Sequence, residues 1–68
     1  MNLEFKCAIV LSGLKHYQVA IEMDWHPAKI SAVIAETYEP TQEERDALAE
    51  ILNRSVYDLF PPKRGVMS

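Results

Sequence analysis

Pro27 constrains this chain more than any other residue. It has no backbone N–H to donate and its φ is fixed, so in a helical chain its favoured place is a helix's first turn. It stands mid-chain in "IEMDWHPAKISAVIA" (21–35), after the acids Glu22 and Asp24 and before a run of small and β-branched residues. One helix closing before Trp25 and another opening at Pro27, with His26 as its N-cap, satisfies both sides of the proline. The second helix runs to about Ala35 and places Ile30, Val33 and Ile34 on one face, at i, i+3 and i+4. Ala28, Lys29, Ser31 and Ala32 point elsewhere.

Other start and stop signals divide the rest of the chain in the same way. Asn2 caps a first helix with Glu4 in its first turn, and Gly13 supplies the permissive position after Ser12. In that helix Phe5, Ile9, Val10 and Ser12 recur at helical spacing. Leu3, Cys7 and Leu11 widen the apolar surface, which predicts a helix covered on several sides. A second helix fits Lys15 to about Met23, with Val19, Ala20 and Met23 inward. "TQEE" is a capping box in which Thr41 caps and Glu44 reaches back, opening a helix with Leu48, Ile51 and Leu52 inside. A last short helix opens at Ser55, carries Val56, Leu59 and Phe60, and stops at Pro61-Pro62. Five short helices with tight joins and no period-two alternation predict an all-α fold.

Composition sets the remaining bounds. Sixty-eight residues make one small domain, 49% hydrophobic and 25% charged, which is too apolar for a disordered chain. A core of this size contributes little net stability, so a partner subunit is expected to help. Cys7 is the only cysteine and cannot form an internal disulfide, which points to a reducing, cytoplasmic setting. No apolar run reaches the roughly 18 residues of a spanning helix, so no membrane partner is expected. The formal charge is −3, unevenly spread. In residues 1–35 three acids balance three lysines, whereas in 36–60 seven acids face only Arg45 and Arg54, leaving −5. The acidity thus lies in one half, and the other half is free to approach a polyanion.

No catalytic or metal chemistry is legible. His16 and His26 lie ten residues apart with one distant cysteine, which is no structural zinc spacing. A Cys7–His dyad would place its nucleophile within an apolar helix, where a thiol is ordinary packing. No enzyme activity and no cofactor are expected. Trp25 reads as a core residue at the join, and Glu39, Glu43, Glu44 and Asp46 as a solvated, helix-capping acidic face.

The order and spacing of these pieces resemble the Cro/C1-type helix-turn-helix family of phage and bacterial regulators. In "VAIEMDWHPAKI", Val19 and Ala20 match the family's Leu-Ala pair, and Met23 its inward aliphatic. Asp24 stands at the turn glycine, Trp25 at the next hydrophobic position, and Ile30 at the inward Ile. In "YEPTQEERDALAEILNRSVYDLF", Leu48, Ala49 and Leu52 match the "LAxxL" face and Leu59-Phe60 the closing pair. The chain departs from the pattern at Asp24, which tolerates φ > 0 better than most residues. It departs again at Ile9 and Ile34, where many relatives carry an Arg–Glu ion pair; an apolar pair can replace such a pair without loss of stability.

The resemblance implies a compact five-helix, lambda-repressor-like domain over residues 1–60, with the helix-turn-helix at about 15–35 and a short basic tail at 61–68. It implies a sequence-specific, double-stranded DNA-binding transcriptional regulator, a repressor acting by operator occupancy. Transferred by position, Lys15, His16 and Tyr17 lie on the phosphate side, and His26, Pro27, Ala28, Lys29, Ser31 and Ala32 face the groove. Lys29 is suited to guanine O6 or N7, and Ala28 and Ala32 to thymine methyls. A homodimer is expected to read half-sites ~34 Å apart, with Val56, Tyr57 and Phe60, and further on Val66 and Met67, as its contact segment. Lys63 and Arg64 fit either a DNA backbone or a solubilising tail. The alternative is a helix-turn-helix-fold protein-interaction module without DNA binding, which the acidic half and the scarcity of basic residues near the motif favour.

Overall fold

The computed structural model describes residues 1–61, all-helical apart from turns; Lys63, Arg64, Val66 and Met67 lie outside the described residues. Five helices follow in order: α1 (Leu3–Ser12), α2 (His16–Met23), α3 (Pro27–Ala35), α4 (Gln42–Leu52) and α5 (Val56–Leu59). No described residue is in a strand, and no described helix is long and apolar enough to cross a membrane.

The termini of these helices are set by side-chain chemistry. Asn2 accepts the Phe5 N–H through Oδ1 at 3.0 Å, as an N-cap does. Thr41 and Ser55 cap α4 and α5, and Glu44 and Asp58 reach back in two reciprocal boxes. At α2 only half of such a box exists: the Lys15 N–H donates to Gln18 Oε1 at 2.8 Å, and a lysine side chain offers no acceptor in return. Helices α1 to α4 all close on a left-handed residue, Gly13, Asp24, Glu36 and Asn53 respectively, of which only the first is glycine. Asp24 has φ 60°, in the left-handed region.

The core takes Phe5, Ala8 and Ile9 from α1, Val19 and Ala20 from α2, and Ile30, Val33 and Ile34 from α3. Leu48, Ala49 and Leu52 of α4 and Leu59 of α5 complete it. Ile9 and Ile34 both belong to this cluster. Asn2 closes the bundle. Its backbone N–H donates to the Ile34 carbonyl at 2.7 Å and its Nδ2 donates to the Leu59 carbonyl at 2.9 Å, tying α1 to α3 and α5.

The expectation for α1 needs correction. Val10 does not face the core: it is 67% exposed, and Leu3, Cys7 and Leu11 are exposed with it. The inner face is Phe5, Ala8 and Ile9, because the other helices meet α1 on one side only. Its second apolar face is left bare.

Candidate nucleic-acid interface

α2 and α3 form the candidate interface, and their join is short and hydrogen-bonded. The Asp24 N–H donates to the Ile21 carbonyl at 3.0 Å and the Trp25 N–H to the Ala20 carbonyl at 2.7 Å. His26 then caps α3, its Nδ1 accepting the Ala28 N–H at 3.1 Å, and Pro27 takes the first-turn position. With φ fixed and the first free N–H satisfied, the start of α3 is held in place.

The inner face of α3 is anchored by Ile30, Val33 and Ile34, and the opposite face is open. His26, Pro27, Ala28 and Ser31 are all exposed. Ala32 is half-buried, and its carbonyl accepts the Thr37 and Tyr38 N–H groups at 2.9 and 3.3 Å, closing the C-terminal end. At the start of α2, Lys15 and Tyr17 are exposed and His16 is half-buried.

Lys29 is placed differently from its reading as a base-contacting residue. Its Nζ lies 4.4 Å from the Trp25 ring centroid, 4.6 Å from that of Tyr38 and 3.8 Å from Glu44 Oε2. The two rings meet edge to face, with centroids 6.1 Å apart. The ammonium is therefore held over two aromatic faces and beside a carboxylate, an arrangement that attracts a cation through both quadrupole and charge. Lys29 braces α3 against the loop before α4.

Glu44 is the hub of this cluster: it caps α4 as expected, but it is half-buried rather than solvated. Its Oε1 accepts from the Tyr38 hydroxyl at 2.7 Å and from the Thr41 N–H at 2.9 Å, while Oε2 faces Lys29. The Tyr38 hydrogen bond, with the Thr41 N–H next, holds the Glu44 carboxyl below its usual range. The same carboxylate, together with partial burial, pushes the Tyr38 phenol above its usual value. Glu39 pairs with Arg45 at 3.3 Å.

Sequence reading missed Tyr38 and Glu44 as partners of Lys29. The capping box revealed one oxygen of Glu44, whereas Tyr38 sits in a loop whose irregular backbone has no period to read. Trp25, expected at the join, packs against the core as well as against Lys29.

The proposed dimer contacts are largely used within the chain. Phe60 stacks on Phe5 with ring centroids 5.5 Å apart, Val56 packs against the core, and only Tyr57 is exposed. Among the described residues, no group of three or more His, Cys, Asp and Glu side chains is placed to hold a metal ion.

Compared with known protein families, curated proteins and solved structures, the chain matches none. Any functional assignment therefore rests on its own geometry.

Proposed function

We propose that this is a lambda-repressor-like helix-turn-helix domain of the Cro/C1 type that binds double-stranded DNA and regulates transcription by occupying its operator. One observation carries the reading: α3 is anchored by one face and leaves the opposite face open, lined by small side chains, next to a hydrogen-bonded turn. A helix fits the major groove of B-DNA, and small outward side chains let its backbone come close to the base edges. His26 and Ser31 supply polar contacts, and the methyls of Ala28 and Ala32 meet thymine methyls. Lys15, His16 and Tyr17 contact phosphate near the start of α2, where the helix dipole favours an anion.

Lys29 contributes by holding α3 rather than by reading a base, since its ammonium is occupied by Trp25, Tyr38 and Glu44. With no long donor left on the face, phosphate contacts and DNA shape carry most of the affinity, and base discrimination is modest. A dimer reading two half-sites raises both affinity and specificity.

The test is a titration of random and genomic duplexes across salt. Affinity falls steeply with salt, and Lys15→Ala lowers the logarithmic slope by about one unit. Lys29→Met keeps the aliphatic stem and removes the charge, and leaves that slope unchanged. Absence of DNA binding by the folded protein overturns the reading. That result favours the second reading, a protein-interaction module, which the capture of Lys29 and the acidity of residues 36–60 support.

A further inference from the structure

The bare face of α1 stands apart from the DNA-binding reading and gathers three of the exposed large apolar side chains of the described residues, Leu3, Val10 and Leu11. Leu3 is 55% exposed, Val10 67% and Leu11 70%, with Cys7 exposed among them. On a helix of 3.6 residues per turn these four side chains form one stripe about 100° wide. It lies opposite the face that buries Phe5, Ala8 and Ile9. α1 is therefore amphipathic twice over, with apolar residues on two opposed faces and exposed charges between them.

Those charges identify what covers the stripe. Lys6 and Glu4, both exposed, flank it about 80° to either side of its centre. One edge is positive and the other negative, at nearly the same height along the helix. We propose that a second copy of this chain docks on the stripe, with the two α1 helices side by side and parallel. A two-fold axis along the helices lays the positive edge of one copy on the negative edge of the other. Lys6 of each protomer then meets Glu4 of its partner, and Leu3, Cys7 and Val10 each meet their own counterparts. An antiparallel pairing would instead set Lys6 against Lys6 and Glu4 against Glu4. The interface is isologous, so it closes at two copies.

A single short helix face supplies less than the ~800 Å² per partner of a standard-size complex, so association is weak and reversible. Such a dimer places the contact on α1 rather than on the C-terminal segment, where Val56 and Phe60 already serve the core.

Sedimentation equilibrium over a micromolar to sub-millimolar range, without DNA, tests the proposal. The unaltered protein dimerises reversibly. Val10→Glu weakens association at least about tenfold, and far-ultraviolet circular dichroism stays unchanged because the position is exposed. Lys6→Glu and Glu4→Lys each weaken the dimer, and the two together restore it. Diamide, as the oxidant, takes two electrons and two protons from the paired Cys7 thiols and yields a covalent dimer. A protein that stays monomeric at several hundred micromolar, or a dimer indifferent to Val10→Glu, overturns the proposal. So does a dimer that Cys7 fails to cross-link, or one that the double charge exchange fails to restore.

Discussion

The hydroxyl of Tyr38 and the carboxylate of Glu44 hold each other in the ionisation states that suit them, with the Lys29 ammonium beside both. The Tyr38 hydrogen bond lowers the Glu44 carboxyl's pKa in the folded chain, and the unfolded chain has no such bond. A depressed folded value means that the unfolded state binds the proton more readily. The stabilisation is therefore complete above the ordinary carboxylate range and is lost as pH falls through the depressed value. For Tyr38 the folded value is raised, so its share is complete below the ordinary phenol value and is lost as pH rises through the raised one. Urea denaturation at successive pH values checks the acid side. Tyr38→Phe, which keeps the ring over Lys29 and removes the hydroxyl, flattens the fall in stability between neutral pH and pH 3. An acid slope as steep as that of the unaltered protein would show that the hydrogen bond does not control the carboxyl. The cluster's members lie in a turn, a helix, a loop and a helix start, and no spacing rule joins residues 25, 29, 38 and 44. Trp25 at the join and Glu44 in its capping box were legible in the sequence, but Tyr38 was not, and the convergence depends on the path of the loop at 36–41.

At the scale of the helix, the ends were more legible than the faces. Caps are local: Asn2, His26, Thr41 and Ser55 each bond a backbone N–H two or three residues on, so the sequence alone specifies them. Faces depend on which side the rest of the chain covers, and in α1, apolar on both sides, composition could not separate Val10 from Ala8. Thr41→Ala removes the acceptor for the Glu44 N–H and costs about 1 kcal/mol in the same denaturation measurement. The C-terminal caps predict an opposite change. Asp24 occupies the left-handed region that glycine enters without steric cost, and its C-cap geometry is kept by any residue with a backbone N–H. Asp24→Gly relieves that strain against a gain in unfolded-chain entropy, and stabilises by roughly 0.5 kcal/mol. Gly13→Ala runs the other way. Its Cβ would meet nothing within 4 Å, so the penalty comes from φ of 82° alone, about 1 kcal/mol.

Across the whole molecule, the smallest helix holds the bundle shut. α5 has four residues, yet Leu59 is fully buried, its carbonyl accepts from Asn2, and Phe60 beside it stacks on Phe5. α1 meets α5 through these contacts, so the first and last helices close the core together. A domain of this length has only a few kcal/mol of net stability, and truncating a buried leucine to alanine costs roughly 2–5 kcal/mol. Leu59→Ala therefore consumes most or all of the available stability, although the residue is far in sequence from the α2–α3 face. The outcome is cooperative: circular dichroism at 222 nm, the wavelength at which helices absorb, shows the whole helical signal melting together at a much lower temperature. On the proposed function, DNA binding by this variant disappears over the same temperature interval. Tyr57→Ala, two positions earlier and exposed, leaves the melting temperature unchanged. A Leu59→Ala protein whose α2–α3 face still bound DNA after α1 and α5 had melted would show that the binding face folds independently. The shared core of Phe5, Ile30, Leu48 and Leu59 predicts the contrary, because all five described helices contribute to one buried cluster.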